Sequence, residues 1–222
     1  MKPTRFNTAV THHDAFERMA RHRHGKDYVA LVLAGGYVEA GDRGRFRVEA
    51  GHAIVHRAYE AHQDEFPAAG ARVLNFLEVE AGLDAPVGQV DDVDAIARLA
   101  ERDPGEAFEL LRQTFRPAGA RLNDWPDLLA ETLATESNVR LAEWAETTGI
   151  APESLSRGFR RAYGTSPKRY RLEQRTAHAL RLLPGWQGSI ATLAATAGFA
   201  DQAHMTRAVF ALTGRVPGSL RG

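Results

Sequence analysis

Residues 190–212 read IATLAATAGFADQAHMTRAVFAL, and residues 141–163 read LAEWAETTGIAPESLSRGFRRAY. Each stretch begins with a short apolar segment rich in alanine, passes through a glycine and a bend, and ends in an amphipathic segment that carries arginine. Glycine permits the tight reversal, and small side chains let two helices approach closely at a steep angle. The two stretches therefore predict two helix-turn-helix motifs, which typically place their second helix in the major groove of DNA.

The second stretch carries residue types in an order that is specific to one family. They are, in sequence order, Gly198-Phe199, Asp201-Gln202, Arg207, Thr213-Gly214 and Pro217. Residues 121–222 resemble the DNA-binding domain of the AraC/XylS family of transcription regulators, whose second motif reads approximately GFxDQxxFxRxFKxxxGxxPxxYR. The first stretch agrees with this resemblance at Leu155, Arg157, Phe159, Tyr163-Gly164 and Ser166-Pro167. The chain departs from the family motif at Met205, Val209, Phe210 and Leu220, which bears on the packing of the last helix and on one phosphate contact.

The resemblance implies which side chains contact DNA bases. These are Glu153, Ser156, Arg157, Ala203, Thr206 and Arg207, with Gln202 nearby. Arg157 and Arg207 are the strongest candidates, because arginine can donate two hydrogen bonds to guanine O6 and N7. The alternative for these two arginines is a surface ion pair within the domain. Other basic side chains are predicted to bind phosphate groups, which sets the position of the domain along the DNA without reading its sequence. They are Arg160, Arg161, Lys168, Arg169 and Arg171.

The distribution of charge supports a nucleic-acid partner. The net charge is zero, but residues 1–118 hold 15 basic and 19 acidic side chains, and residues 119–222 hold 13 and 9. From Pro152 onward there are 11 basic and 3 acidic side chains. A run of charge by itself usually marks only a solvated surface, but here the basic residues coincide with both predicted motifs. Double-stranded DNA is therefore the expected partner.

The N-terminal part has a different pattern. Short apolar runs between Tyr28 and Glu80 are separated by turns that contain glycine, which favours antiparallel strands. His22-Arg23-His24 ahead of a strand, and Gly51 followed by His62, resemble the two motifs of a cupin domain. We predict an α+β protein with a small antiparallel, cupin-like β-barrel followed by an all-α DNA-binding domain. The expected boundaries are 1–88 for a sensor or dimerisation domain, 89–118 for a helical linker and 119–222 for the DNA-binding domain.

The cupin resemblance makes His22, His24 and His62 a candidate site for a divalent metal, since neighbouring strands of a barrel would bring them to one mouth. The glutamate that usually follows the first cupin motif is missing, because Tyr28 and Val29 stand there. The favoured alternative is that these histidines are hydrogen-bonded at the rim and that the chain has no cofactor. His52 and His56 are weaker candidates, because alternation along their strand puts them on one face with no identifiable third ligand.

A small-molecule effector is the other ligand that the resemblance implies. Its pocket would combine inward-facing apolar residues of the strands with histidines as polar contacts. These residues are Leu31, Leu33, Val55 and Phe76, with His24 and His62. The sequence does not identify the ligand.

We therefore expect a sequence-specific transcription regulator and not an enzyme. The chain has no cysteine, which excludes disulfides and thiolate metal sites, and it offers no constellation for nucleophilic catalysis. Two alternatives stay open: a metal-dependent cupin enzyme or metal sensor fused to a DNA-binding domain, and a DNA-binding module without a sensor. No apolar run approaches the roughly 18 residues of a membrane span, so we expect a cytoplasmic protein without a membrane partner. Dimeric family members imply a homodimer, in which helices within residues 90–115 would pair with those of a second chain. The plainer alternative is that these helices pack on the barrel of their own chain. An activator would also contact RNA polymerase.

Overall fold

The computed structural model describes residues 7–80, 82–136 and 139–221. The chain divides into two compact units between Leu122 and Asn123. The first unit contains antiparallel strands and two helices, and the second is built from helices. The predicted order, an antiparallel sheet domain followed by an all-α domain, is confirmed.

Nine strands and two helices make up the described part of the N-terminal unit. The strands are β1 (Asn7–His13), β2 (Arg18–Arg23), β3 (Tyr28–Gly41), β4 (Gly44–Glu49), β5 (His52–His56), β6 (Ala61–Glu65), β7 (Ala71–Leu77), β8 (Val87–Gln89) and β9 (Arg116–Pro117). The helices are α1 (Val93–Ala100) and α2 (Pro104–Thr114). Each helix begins at an aspartate whose carboxylate accepts a hydrogen bond from a backbone amide of the first turn, Asp92 from Ala95 and Asp103 from Glu106.

The strands form two sheets that share the long strand β3. One sheet has the order β1-β7-β3-β5-β8-β9, and in the other β3 pairs with β4 and with β6, which pairs in turn with β2. The strand passes from one sheet to the other near Gly35, where the register with β7 shifts between Val32 and Ala34. Gly35 has φ +69°, and a Cβ atom there would lie 2.1 Å from the carbonyl oxygen of Gly70, so only glycine fits this crossing.

The predicted closed barrel is wrong. Within the described residues, β1 and β9 end one sheet and β2 and β4 end the other, and each of these strands pairs with one neighbour. The alternation of apolar residues that predicted the strands is the same for an open and a closed sheet, because closure depends on which strands pair at the ends. The N-terminal unit is therefore a pair of open antiparallel sheets.

Alternation along β3 divides the N-terminal unit into two cores. Val29 and Leu31 lie on the face covered by α1 and α2, together with Ile96, Phe108 and Leu111. The other face of the same strand packs between the two sheets. Its buried residues are Tyr28, Ala30, Val32 and Tyr37, with Phe46, Phe66 and Val73 from neighbouring strands.

The helices α1 and α2 belong to the first core. These helices lie within residues 89–118, the expected helical linker, and they bury Ile96, Ala100, Ala107 and Leu111 against the sheet. β9 follows α2 and pairs with β8, which adds residues 116–117 to the same sheet.

The described part of the C-terminal unit contains six α-helices and one short 3-10 helix. They are α3 (Trp125–Thr135), α4 (Leu141–Thr148), α5 (Pro152–Tyr163), α6 (Pro167–Leu182), α7 (Ile190–Thr196), α8 (Gln202–Thr213) and the 3-10 helix Pro217–Leu220. Across the described ranges of the whole chain, no helix is both long and apolar enough to cross a membrane.

The first half of the C-terminal unit is held by a buried aromatic and acidic cluster. Tyr163 of α5 donates a hydrogen bond of 2.8 Å to the Asp127 carboxylate of α3, and both side chains are almost fully buried. Phe159 stacks on Tyr163, and Tyr170 of α6 meets both rings edge-on at centroid distances of 5.4 and 5.2 Å. This cluster ties three helices to one another.

The second half of the C-terminal unit has its own core. Ala179 of α6 and Leu183, the residue that follows this helix, both belong to this core. They pack with Leu193 of α7 and with Met205 and Val209 of α8. Met205 stands where the family has an aromatic residue, yet it is fully buried. A flexible thioether side chain fills an irregular core space as readily as a ring does.

Tyr163→Phe is expected to destabilise the C-terminal unit by about 1–3 kcal/mol, because it removes a buried hydrogen bond to a carboxylate and leaves Asp127 with one partner fewer. The three tryptophans, at positions 125, 144 and 186, all lie in this unit, so the urea unfolding curve followed by tryptophan fluorescence reports on it selectively. Tyr59→Phe, in the other unit, is the matched control and should leave this curve unchanged. An unaltered midpoint in Tyr163→Phe would contradict the assigned role of the hydrogen bond.

Candidate nucleic-acid interface and N-terminal cavity

The first predicted helix-turn-helix motif is formed by α4 and α5. α4 ends at Gly149, whose φ of +70° is left-handed and closes the helix. α5 begins two residues after Ile150 with Pro152, which suits the first turn because no amide donor is lost there. Leu155 and Phe159 are buried, so the opposite face of α5 is turned to solvent.

The second motif is formed by α7 and α8. The Ser189 hydroxyl accepts a hydrogen bond of 3.0 Å from the amide of Thr192 and begins α7. Gly198 follows α7 with φ +76°, and the Asp201 carboxylate accepts a hydrogen bond of 2.7 Å from the amide of His204 at the start of α8. Met205 of α8 faces the core. The two motifs therefore repeat one architecture with different capping residues.

The side chains predicted to read bases lie on the outer faces of α5 and α8. Glu153, Ser156, Arg157, Gln202, Ala203 and Arg207 are exposed, and Thr206 is half-buried. Among the described residues, neither Arg157 nor Arg207 forms an ion pair with a carboxylate. The alternative of a surface ion pair within the domain has no support at these two positions, and both guanidinium groups are available to a ligand.

Four of the five predicted phosphate-binding side chains are exposed: Arg160, Arg161, Lys168 and Arg169. Arg169 is also engaged with its own helix, because its Nε lies 3.0 Å from the Glu173 carboxylate. Arg171 is placed differently. It donates a hydrogen bond of 2.6 Å to the carbonyl oxygen of Val139, and burial, with Arg175 close by, lowers the pKa of its guanidinium. Arg171 therefore contacts the chain ahead of α4, and its phosphate contact stays a prediction.

A cavity of about 230 Å³ lies between the two sheets of the N-terminal unit. It is lined by apolar side chains from β1, β2, β3 and β7 and by a group of polar side chains. The polar group consists of His13, His22, His24, Tyr28, His56, His62, Asp64 and Asn75, with Thr11 at β1. The predicted pocket residues His24 and His62 are among them.

The four apolar residues predicted to line the pocket lie elsewhere. Leu31, Val55 and Phe76 are buried in the core under α1 and α2, and Leu33 packs against the same core. The period-two alternation placed these residues correctly on one face of the sheet, but that face is covered by helices. The apolar lining comes from the opposite face, with Ala30, Val73 and Leu77.

A buried polar cluster borders the cavity. Glu39 of β3, His56 of β5 and His62 and Asp64 of β6 are each no more than 6% exposed. His62 Nδ1 lies 3.3 Å from Asp64 Oδ1, and its Nε2 lies 3.1 Å from the hydroxyl of Tyr28. His56 Nε2 lies 3.4 Å from Glu39 Oε2. This cluster brings two carboxyl groups and two imidazoles together in the buried interior of the unit.

Burial governs the protonation of this cluster. It raises the pKa of the Glu39 carboxyl to about 8, although His62 opposes the rise. It lowers the pKa of His56 well below the usual value, with a further contribution from His62. Burial also acts to lower the pKa of His62, but the hydrogen bond with Asp64 and the charge of Glu39 outweigh it, so that the pKa is raised. Burial therefore favours the neutral forms of both the Glu39 carboxyl and the His56 imidazole.

Two sets of three side chains are close enough to hold a metal ion. One is the predicted set His22, His24 and His62, and the other is Glu39, His56 and His62. In each set, one ligand atom from every residue lies within 4.8 Å of the others. The sequence interpretation found no third ligand for His56, whereas the structure places Glu39 close enough to complete a set with His56 and His62. The available signal was a lone acidic residue in the otherwise uncharged strand YVALVLAGGYVEAG.

Comparison with known proteins gives one family match and several structural likenesses. Residues 144–222 match a family described as a helix-turn-helix domain. No curated protein sequence matches the chain. Among solved structures, the chain is similar to ToxT from Vibrio cholerae, with 11% identity, a TM-score of 0.41 and coverage of 96% of this chain and 97% of that chain.

Two DNA-binding domains are also similar to part of the chain. One is that of AdpA, described as a global transcriptional factor and solved with a target DNA, with 22% identity, a TM-score of 0.41 and coverage of 45% of this chain and 91% of that chain. The other is the C-terminal domain of AraT, a response regulator from Geobacillus stearothermophilus, with 23% identity, a TM-score of 0.38 and coverage of 43% and 78%.

These likenesses are distant, so the assignment rests on the family match and on the residues themselves. The match runs from within α4 to the end of the chain and includes both bihelical motifs. The motif residues Gly198, Asp201 and Arg207 lie within the matched range. The C-terminal unit therefore contains a helix-turn-helix domain over residues 144–222, and its motif residues are those of the AraC/XylS type.

Proposed function

We propose that this protein is a sequence-specific transcription regulator whose two helix-turn-helix motifs read one extended DNA site. The observation that carries this proposal is the pair of exposed arginines, Arg157 on α5 and Arg207 on α8, each without an ion-pair partner among the described residues. Arginine without a carboxylate partner can donate two hydrogen bonds to a guanine edge. The basic residues around α5 add phosphate contacts that orient the domain.

The connection between the motifs supports an extended site. α6 packs against α3 and α5 on one side and against α7 and α8 on the other, so the motifs cannot rotate freely about each other. Two recognition helices held in this way would enter successive major grooves, about 34 Å apart on one face of DNA. A single chain would then recognise a site without twofold symmetry.

The cavity in the N-terminal unit supports control by a ligand. Its volume of about 230 Å³ is small for a ligand pocket, and its lining combines apolar side chains with five histidines, Asp64 and Asn75. A small molecule that carries both apolar surface and polar groups fits this lining better than a large one. Homodimerisation, activation through RNA polymerase and the cupin-like origin of the domain stay predictions.

Arg157→Ala and Arg207→Ala are each expected to relax sequence preference at separate positions of the site, at a cost of about 1–3 kcal/mol, or about 5- to 150-fold in affinity. The site is first obtained by selection from a random oligonucleotide pool with the full chain, and the selection is repeated with each variant. Each variant should lose its base preference at a different base pair of the selected site, because the arginines lie on different recognition helices.

The matched control for the arginine variants is Arg98→Ala, which removes an exposed arginine of α1 in the other unit. It should return the site selected by the unmodified protein. Failure of the unmodified protein to enrich any sequence would overturn the proposed function, and unaltered selections in both arginine variants would overturn their role in base reading.

Lys168→Ala is expected to weaken binding to the selected site and to random DNA by the same factor. Its exposed ammonium lies at the start of α6 and is predicted to contact a phosphate, so its loss should reduce the slope of log affinity against log salt by about one. Fluorescence anisotropy over a series of salt concentrations measures this slope. A slope equal to that of the unmodified protein would show that Lys168 contacts no phosphate.

A further inference from the structure

We propose that, beyond DNA binding, the buried polar cluster of the N-terminal unit is a site for an ion. In this proposal Glu39, His56 and His62 bind a divalent transition-metal ion, with zinc as the metal that best suits their ligand atoms. This set differs from the histidines that the cupin resemblance pointed to, and it shares only His62 with them. It lies inside the unit, where the ends of β3 and β5 meet the start of β6.

The spacing of the ligand atoms fits one metal ion. Glu39 Oε2 lies 3.4 Å from His56 Nε2 and 3.8 Å from His62 Nδ1. A tetrahedral zinc ion with metal–ligand distances of about 2.0–2.2 Å holds its ligand atoms about 3.3–3.6 Å apart. The two distances from Glu39 are therefore within a few tenths of an ångström of this spacing, and the ligand atoms of all three residues lie within 4.8 Å of one another.

The Glu39 carboxylate is the second observation that points to a cation. Its Oε2 atom is buried and has no hydrogen-bond partner, although it faces two imidazoles. An unpaired carboxylate oxygen in an apolar interior is costly unless a cation or a donor satisfies it. A divalent ion bound between Oε2 and the two ring nitrogens supplies this buried oxygen with a partner.

Neighbouring residues hold the ligands in orientation. The Tyr28 ring stacks on His56 at a centroid distance of 4.1 Å and an interplanar angle of 6°, which fixes the plane of that imidazole. The Tyr28 hydroxyl lies 3.1 Å from Nε2 of His62, so Nδ1 is the nitrogen that faces the carboxylates. Asp64 Oδ1 lies 3.3 Å from the same Nδ1, in a hydrogen bond that metal binding would replace. The Tyr28 hydroxyl, on the other ring nitrogen of His62, is the kind of contact that orients a ligating histidine.

The donor set defines the class of metal. Two imidazole nitrogens and one carboxylate oxygen suit zinc and related first-row ions, whereas calcium and magnesium prefer oxygen ligands alone.

An ion can reach the site through the cavity, because His56 and His62 both line this space of about 230 Å³. Gly41 lets β6 approach, since a Cβ atom there would lie 3.3 Å from the Cβ of His62.

Zinc titration of the full chain tests this proposal. After treatment with chelator and its removal, the protein is titrated with zinc alone by calorimetry, and with cobalt(II) as a visible probe of tetrahedral coordination. We expect one zinc ion per chain. Glu39→Gln, which keeps the shape of the side chain, and His56→Ala should each weaken zinc binding by more than the 10- to 100-fold that is typical of changes outside the ligand shell.

His52→Ala is the matched control, since it removes a histidine from the same strand outside both sets, and it should bind zinc as the unmodified protein does. His24→Ala separates the two sets. Loss of zinc in His24→Ala with retention in Glu39→Gln would overturn the proposal and place the ion among the predicted histidines. Absence of stoichiometric zinc binding by the folded protein would also overturn it.

Thermal unfolding of each variant, measured without zinc, shows whether the substituted protein is folded. Glu39→Gln provides the decisive comparison if His56→Ala does not fold. The zinc titration is done without DNA, and the oligonucleotide selection is done without added zinc. A negative titration would therefore count against the metal site alone, and a negative selection would count against DNA recognition alone.

Discussion

The spacing of the two helix-turn-helix motifs depends on α6, which packs against a different core near each of its ends. At its start, α6 buries Tyr170 against Phe159 and Tyr163, and towards its end it buries Ala179 beside the core of α7 and α8. A helix of 16 residues is rigid over its length of about 24 Å, so packing at both ends transmits a fixed spacing to the two recognition helices. The exposed arginines can act together only because this spacing is maintained.

A comparable constraint operates in the N-terminal unit through β3. Alternate residues of this strand pack in different cores. Its crossing at Gly35 lets the same strand pair within both sheets. Tyr28 near one end and Glu39 near the other are thereby brought to the same polar cluster, together with His62. The cluster is a consequence of the shared strand, because residues eleven positions apart in a single flat sheet would be separated by more than 30 Å, on the order of 3.3 Å per residue.

The helical domain was more accessible to sequence reasoning than the sheet domain. Its signals are local: Gly149 and Gly198 at the turns, Pro152 at a helix start, and apolar residues three or four positions apart. The faces of α5 and α8 followed directly from that spacing, and so did the exposure of Arg157 and Arg207. Arg171 was the exception, because its carbonyl partner at Val139 lies 32 positions away in the chain. In the N-terminal unit, alternation identified strands and faces correctly, but it could not show which face the helices would cover.

The sequence by itself determined the order of the two units, the two bihelical motifs and the side chains on their outer faces, because these depend on contacts within a few residues. Only the tertiary structure decided that the sheets stay open, that Leu31, Val55 and Phe76 pack under α1 and α2, and that Glu39 joins His56 and His62. These outcomes depend on pairing between distant strands. Local periodicity carries no information about such pairing, since every strand with the same alternation is locally equivalent.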